Sequence, residues 1–283
     1  METYVASGGV QVRAAAAIGE VSPFTIEVRF LDGLTETQMQ AFRSAADRWT
    51  RAITGDLPAV QVDGEVIDDL LILAQGTNID GAGGILGQAG PTALRPPTAA
   101  AAAFLPAKGV MQFDTADLEQ MEARGTLNDV ITHEMGHVLG IGTVWSQKNL
   151  LEGAGASKPT FVGQTAMREY GQLRGGSTAI PVPVENTGGP GTRNSHWRET
   201  VFRNELMTGF VGVAGGNPLS RMTVGSLQDL GYAVDLNAAE PYALPNLLEL
   251  AEAGLLVAAE THEREGVVLP SIPVILPPES LVS

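Results

Sequence analysis

His133-Glu134-Met135-Gly136-His137-Val138-Leu139-Gly140-Ile141-Gly142 places two imidazoles four residues apart with a carboxylate between them. In a helix, residues at that spacing lie one above the other on a single face, so both rings reach one ion while Glu134 stands beside it. Thr126 followed by Asp129 supplies an upstream cap, and Gly140 supplies a residue free to adopt the left-handed conformation that ends helices. The spacing therefore predicts a helix from Thr126 to about Gly140. Zinc takes nitrogen and oxygen donors, and three protein ligands leave a position for water. Glu134 is then the base that takes the water's proton. With only 4 histidines in 283 residues, the pattern is not a by-product of composition.

A third ligand must come from elsewhere in the chain. His262 lies in a polar run, Glu260 to Glu265, whereas His196 lies in Asn194-Ser195-His196-Trp197-Arg198, upstream of Met207 in Glu205-Leu206-Met207-Thr208-Gly209. His196 is the first candidate, and a downstream glutamate, Glu169 or Glu199, is the alternative. No nucleophile elbow surrounds Ser195, so it reads as a neighbour of a ligand rather than a nucleophile. Trp145 and Trp197 either line a cleft or belong to the core. Asp229, Tyr232 and Glu205 are candidates to orient the ligands through their free ring N–H groups. Asn78 and Asp80, among glycines, allow a structural calcium loop, although the spacing departs from the EF-hand and a plain turn accounts for the same residues.

Composition narrows the chemistry further. The chain is 44% hydrophobic and carries 32 acidic against 17 basic residues, a formal charge of −15. That excess repels nucleic acid and anionic membrane, and no basic run interrupts it. There are no cysteines, which excludes disulfides, thiolate metal sites and a cysteine nucleophile. No apolar stretch reaches membrane-spanning length. The first twenty residues lack a charged region followed by an apolar one, so no signal peptide is visible, while a cleaved leader or another export route stays open.

The surrounding sequence predicts alternating strands and helices. Phe24, Ile26, Val28 and Phe30 recur at the period of a half-buried strand. Thr35 followed by Gln38 is a capping box, and Met39, Phe42, Ala46, Trp49 and Ile53 give an amphipathic helix ending near Gly55. Leu70 to Ala74, Ile85 to Ala89 and Met111 to Phe113 read as strands. Pro91 to Pro106 reads as a surface excursion, and the Gly- and Pro-rich stretch from Gly142 to Arg193 as an irregular lobe. A short helix is expected after Met222-Thr223-Val224, ending at Gly231. Another is expected over Asn246 to Glu260, before a proline-punctuated tail, Leu269 to Ser283, that packs on the body or frays.

The short metzincin pattern would place a histidine three residues after Gly140, but Thr143 stands there. Ser195-His196-Trp197-Arg198 and Asn204-Glu205-Leu206-Met207, reached only after a long insert from 138, make the sequence resemble the leishmanolysin-type zinc metallopeptidases of the metzincin group. Weaker similarity runs through Gly83 to Gly90, Gly109 to Asp114 and Leu230-Gly231-Tyr232. The resemblance implies an α+β, metzincin-like zincin fold, with a twisted mixed sheet and active-site helix in the N-terminal lobe and an irregular, mainly helix and loop C-terminal lobe. It implies His133, His137 and His196 as zinc ligands, Met207 as the Met-turn, and Ile85 to Ala89 as the edge strand that pairs with an extended peptide. Cysteine-rich members of the family cap the zinc with a cysteine, and this chain has no thiol to do so.

These readings divide the chain into an N-terminal extension (1–20), a catalytic domain (21–240, upper lobe to about 141, lower lobe from 142) and a C-terminal helix with a Pro-rich tail (241–283). The expected function is zinc-dependent endopeptidase action on proteins or peptides. The alternatives are a zincin with a glutamate third ligand and a non-catalytic, metal-stabilised peptide-binding module.

Overall fold

Phe24, Ile26, Val28 and Phe30 are buried while Glu27 and Arg29 point to the opposite side, so the expected strand forms with one face on the core. The computed structural model describes residues 1–8, 23–189, 191–209, 216–246 and 267–282. Along the chain the elements are β1 (Glu2–Ser7), β2 (Thr25–Phe30), α1 (Glu36–Ala52), β3 (Val60–Val62), β4 (Glu65–Ile67), β5 (Leu70–Thr77), β6 (Ile85–Leu94), β7 (Pro106–Asp114), α2 (Thr115–Arg124), α3 (Leu127–Val138), β8 (Leu151–Glu152), β9 (Thr160–Phe161), α4 (Gln164–Leu173), β10 (Val182–Pro183), α5 (Glu199–Phe202), α6 (Arg221–Leu230), β11 (Val267–Pro270) and β12 (Val274–Ile275).

The main sheet runs β1-β2-β5-β7-β6-β11, with β12 also on β6. β2, β5 and β7 are mutually parallel, whereas β1 and β6 run antiparallel to their neighbours β2 and β7. The result is an α+β domain on a mixed sheet. α1 begins with the expected capping box between Thr35 and Gln38, and its apolar face packs on the sheet through Phe42, which meets Phe30 and Phe113 edge-on. α3 packs beside it, and the Trp49 indole N–H donates to Thr132 O at 2.9 Å. This bond ties the histidine-bearing helix to the longest helix among the described residues. The β3–β4 hairpin covers the other sheet face through Val60, Val62 and Ile67. No helix among the described residues is long and apolar enough to cross a membrane.

Several expectations are corrected. α1 ends at Ala52, because Ile53 leaves the helix to bridge Val234. Pro91 to Pro106 is not a surface excursion: Pro91 to Leu94 continues β6, and Ala99, Ala102 and Leu105 are buried. Arg95, fully buried, donates to the carbonyls of Pro58, Asp68, Asp69 and Pro106, which satisfies a charge that would otherwise be expensive to bury. Thr126 does precede α3, but its hydroxyl bonds back to Met121 O instead of capping, while Asp129 accepts the Gly216 N–H. Three helices went unread, α2, α4 and the short α5, with α4 inside the stretch expected to be irregular. The tail forms β11 and β12 on β6. The helix expected over Asn246 to Glu260 falls almost wholly outside the described residues, as does His262.

Candidate active site

His133 and His137 project from α3, and His196 arrives from the loop between β10 and α5. The three Nε2 atoms lie 3.0 Å from one another. Each ring is oriented through its other nitrogen by a backbone carbonyl: His133 Nδ1 donates to Leu206 O at 2.7 Å, His137 Nδ1 to Ile141 O at 2.8 Å, and His196 Nδ1 to Thr192 O at 3.0 Å. All three rings are nearly buried. Burial pushes His133 down to about 4 and His137 to about 3, and lowers His196 well below its ordinary value. The rings are therefore neutral at pH 7.

A neutral imidazole has a single N–H, and in each ring that proton is used at Nδ1. Three Nε2 lone pairs consequently converge with no donor among them, and no hydrogen-bonding arrangement of three acceptors satisfies such a set. A cation does. Zinc–nitrogen bonds of about 2.0–2.1 Å suit imidazoles at this spacing, and the donor set, all nitrogen, suits zinc rather than calcium or magnesium. These residues thus fit a zinc ion. The Asn78 and Asp80 loop has other bonds: the Asp80 carboxylate accepts the Ile85 N–H, and Asp114 accepts the N–H groups of Ile79, Asp80 and Gly81.

Glu134 follows His133 on α3 and is nearly buried. Its carboxylate accepts no hydrogen bond from the described residues, and burial pushes it up to about 8. Beneath the pair lies Met207, fully buried. A Cβ at Gly136 would stand 2.7 Å from Met207 Sδ and 2.9 Å from Trp49 Cζ2, so the helix approaches its floor only because residue 136 has no side chain. Gly136→Ala is expected to cost about 1–3 kcal/mol by overpacking. Thermal melts with and without zinc check this, and an unchanged Tm would mean that the methionine yields freely.

The loop bearing His196 is fixed on several sides. Glu185 N–H donates to His196 O, and Trp197 N–H donates to Met207 O, each at 2.9 Å. Glu205, fully buried, accepts from Met207 N–H at 2.7 Å and from the Ser220 and Thr223 hydroxyls. It therefore shapes the methionine turn rather than orienting a histidine. The other two orienting candidates also act elsewhere: Asp229 accepts from Thr165 and Ala166 at the start of α4, and Tyr232 donates to Leu139 O just past α3. Backbone carbonyls do the work expected of side chains. Trp145 and Trp197 are fully buried and stack with centroids 4.8 Å apart, which is the core reading. The Ser195 hydroxyl donates to Gly191 O at 2.6 Å.

Neither alternative glutamate joins the cluster. Glu169 pairs with Arg221 at 2.9 Å, and Glu199, pushed up to about 7 by burial, is held at Thr208. Sequence reasoning missed Glu185, whose carboxylate accepts from the N–H groups of Asn186, Thr187 and Glu199 and so folds the approach to His196. It also missed Gly142. The glycine has φ +75°, and a Cβ there would fall 2.0 Å from Ser195 O, so the end of the helical segment and the His196 loop touch backbone to backbone. A Gly-x-Gly after the second histidine was the available signal.

The family model of the leishmanolysins, peptidase M8, matches residues 88–248, more than half of the chain. A leishmanolysin homologue of Crithidia fasciculata is 27% identical over 134 residues, 45% of this chain and 20% of that protein. Leishmanolysin of Leishmania major is 29% identical over 147 residues, 48% of this chain and 23% of its own length. A ciliated left-right organizer metallopeptidase of Xenopus laevis is 28% identical over 145 residues, 45% of this chain and 20% of that protein. The matched part thus spans under a quarter of these relatives. On the family match, which takes in all three histidines and Met207, the chain belongs to the leishmanolysin family.

Proposed function

We propose that this chain is a zinc endopeptidase in which His133, His137 and His196 hold the metal, Glu134 acts as general base and Met207 forms the floor of a Met-turn. The observation that carries the reading is the triangle of Nε2 lone pairs, each ring locked by a carbonyl at Nδ1. Zinc bound there supplies a Lewis acid for a peptide carbonyl and makes a water acidic near pH 7. Glu134, one residue from His133 and three from His137, takes a proton from the attacking water. It then returns the proton to the departing amine nitrogen, acting as base first and acid second. The site's burial keeps competing water few, which strengthens each polar interaction in it.

We further read residues 21–240 as the catalytic unit, with the metzincin division into an upper lobe to about 141 and a lower lobe from 142. Proteins or peptides are the substrates that family membership and this chemistry favour. Zinc analysis tests the ligand set: His196→Ala is expected to lose stoichiometric metal, while Glu169→Ala and Glu199→Ala keep it. Retention of full zinc by His196→Ala would sink the assignment. Chelator-sensitive cleavage of a peptide library by the unaltered chain tests the activity itself.

A further inference from the structure

The edge of the main sheet beside the site is already occupied. β11 pairs in parallel with β6, setting Val267 against Ile85, Val268 against Gly87, Leu269 against Gln88 and Pro270 against Ala89. β12 continues along the same edge, with Val274 against Ala93 and Ile275 against Leu94. This is the stretch of β6 that a peptide substrate would otherwise use for strand addition. The segment also touches the opposite side of the site: a Cβ at Gly191 would lie 3.2 Å from Val268 O, one residue before Thr192, whose carbonyl orients His196. We propose that residues 267–275 form a built-in strap that occupies the peptide-binding edge of β6 and must leave it before a substrate can pair there.

The way the strap is held fits reversible release. Apart from Val268, which packs partly against the core, its side chains bury little: Leu269 is 42% exposed, Val274 67% and Ile272 94%. Pro270 has no N–H to give, and the register breaks between Val267 and Val268. The strap therefore rests mainly on backbone bonds at a sheet edge, an arrangement any other extended chain reproduces. Beyond it the chain is anchored independently, with Val282 N–H on Ala59 O at 2.9 Å and a bridge between Leu281 and Val60. A released strap thus stays tethered and competes as an intramolecular ligand.

This inference rests on the peptidase reading for its consequence, and the test separates the two. Because the chain has no cysteine, Gln88→Cys with Leu269→Cys gives a single disulfide across paired positions, closed by oxidation and opened by a phosphine reductant. Cleavage of a peptide library and zinc content are measured in both forms. The oxidised form is expected to cut at least about tenfold more slowly than the reduced form at equal zinc content; equal rates with the disulfide confirmed by mass would overturn the strap and leave the peptidase reading standing. The same pair in a Glu134→Gln background is titrated with a fluorescein-labelled peptide of the sequence of residues 267–275. Binding to the reduced form alone supports the strap even if neither form cleaves, in which case the peptidase reading fails by itself. Equal binding to both forms, or binding to neither, overturns the strap.

Discussion

Gly142→Ala is expected to lower stability by on the order of 3 kcal/mol or more and to weaken zinc binding together with it. Two effects coincide at this residue. Its φ of +75° is a conformation that L side chains rarely adopt, and its Cβ would fall 2.0 Å from Ser195 O. The obstructing atom is backbone, so no rotamer change relieves the overlap, and either the end of the helical segment or the 191–196 loop must move. Both neighbours serve the metal: Ile141 O orients His137, and Ser195 precedes His196. A displacement on either side spoils the Nε2 triangle, and disturbing a ligand's support typically costs 10–100-fold in metal affinity. Gly175→Ala is the control, because Gly175 has φ +78° with nothing within 4 Å of its Cβ. It should cost only the left-handed penalty, about 1–2 kcal/mol. A Gly142→Ala protein with the zinc affinity of the unaltered chain and the Tm of the control would refute the backbone-contact account.

What the sequence discloses about this molecule is what local pattern encodes. The Thr35 and Gln38 box, the alternation from Phe24 to Phe30 and the ending of α6 at Gly231 each depend on a few adjacent residues, and each forms as expected. The histidine pair is legible for the same reason, since four-residue spacing fixes its geometry within one helix. His196 was reachable as the first candidate among the few remaining histidines, with a glutamate as the alternative, and only the resemblance favoured it further, because nothing local says that a loop some sixty positions on folds back beneath α3. α2 had local signals, an Asp114 cap that bonds Ala116 N–H and a terminal Gly125, but they lay against a strand and a neighbouring cap. α4 starts after Gly163, which has no side chain to cap it, its first N–H groups being taken by Asp229 from α6. The buried role of Arg95 and the strand character of the tail depend on partners tens or hundreds of residues distant. Pattern reading at a few positions has no access to such pairings, and a proline-rich tail gives no sign that an edge awaits it.

The larger effect on rate is expected at Glu134. Glu134→Gln keeps the side chain's size and its hydrogen-bonding oxygen but removes the capacity to hold and return a proton, so cleavage should fall by roughly 10²–10⁴-fold. Zinc stoichiometry should not change, because the three Nε2 atoms and their carbonyl supports are untouched. Stability supplies the discriminating measurement. A structural glutamate would lose partners on substitution, but Glu134 accepts no hydrogen bond from the described residues and is only 7% exposed. Replacing a buried carboxyl that is pushed up to about 8 with a neutral amide therefore leaves the metal-free protein at pH 7 as stable as before, or slightly more so, since folding no longer has to protonate a group that the unfolded chain leaves ionised. The expected signature is a large loss of turnover at constant zinc and constant or raised Tm. Undiminished cleavage would remove Glu134 from the chemistry, and loss of zinc or of several degrees in Tm would recast it as part of the scaffold.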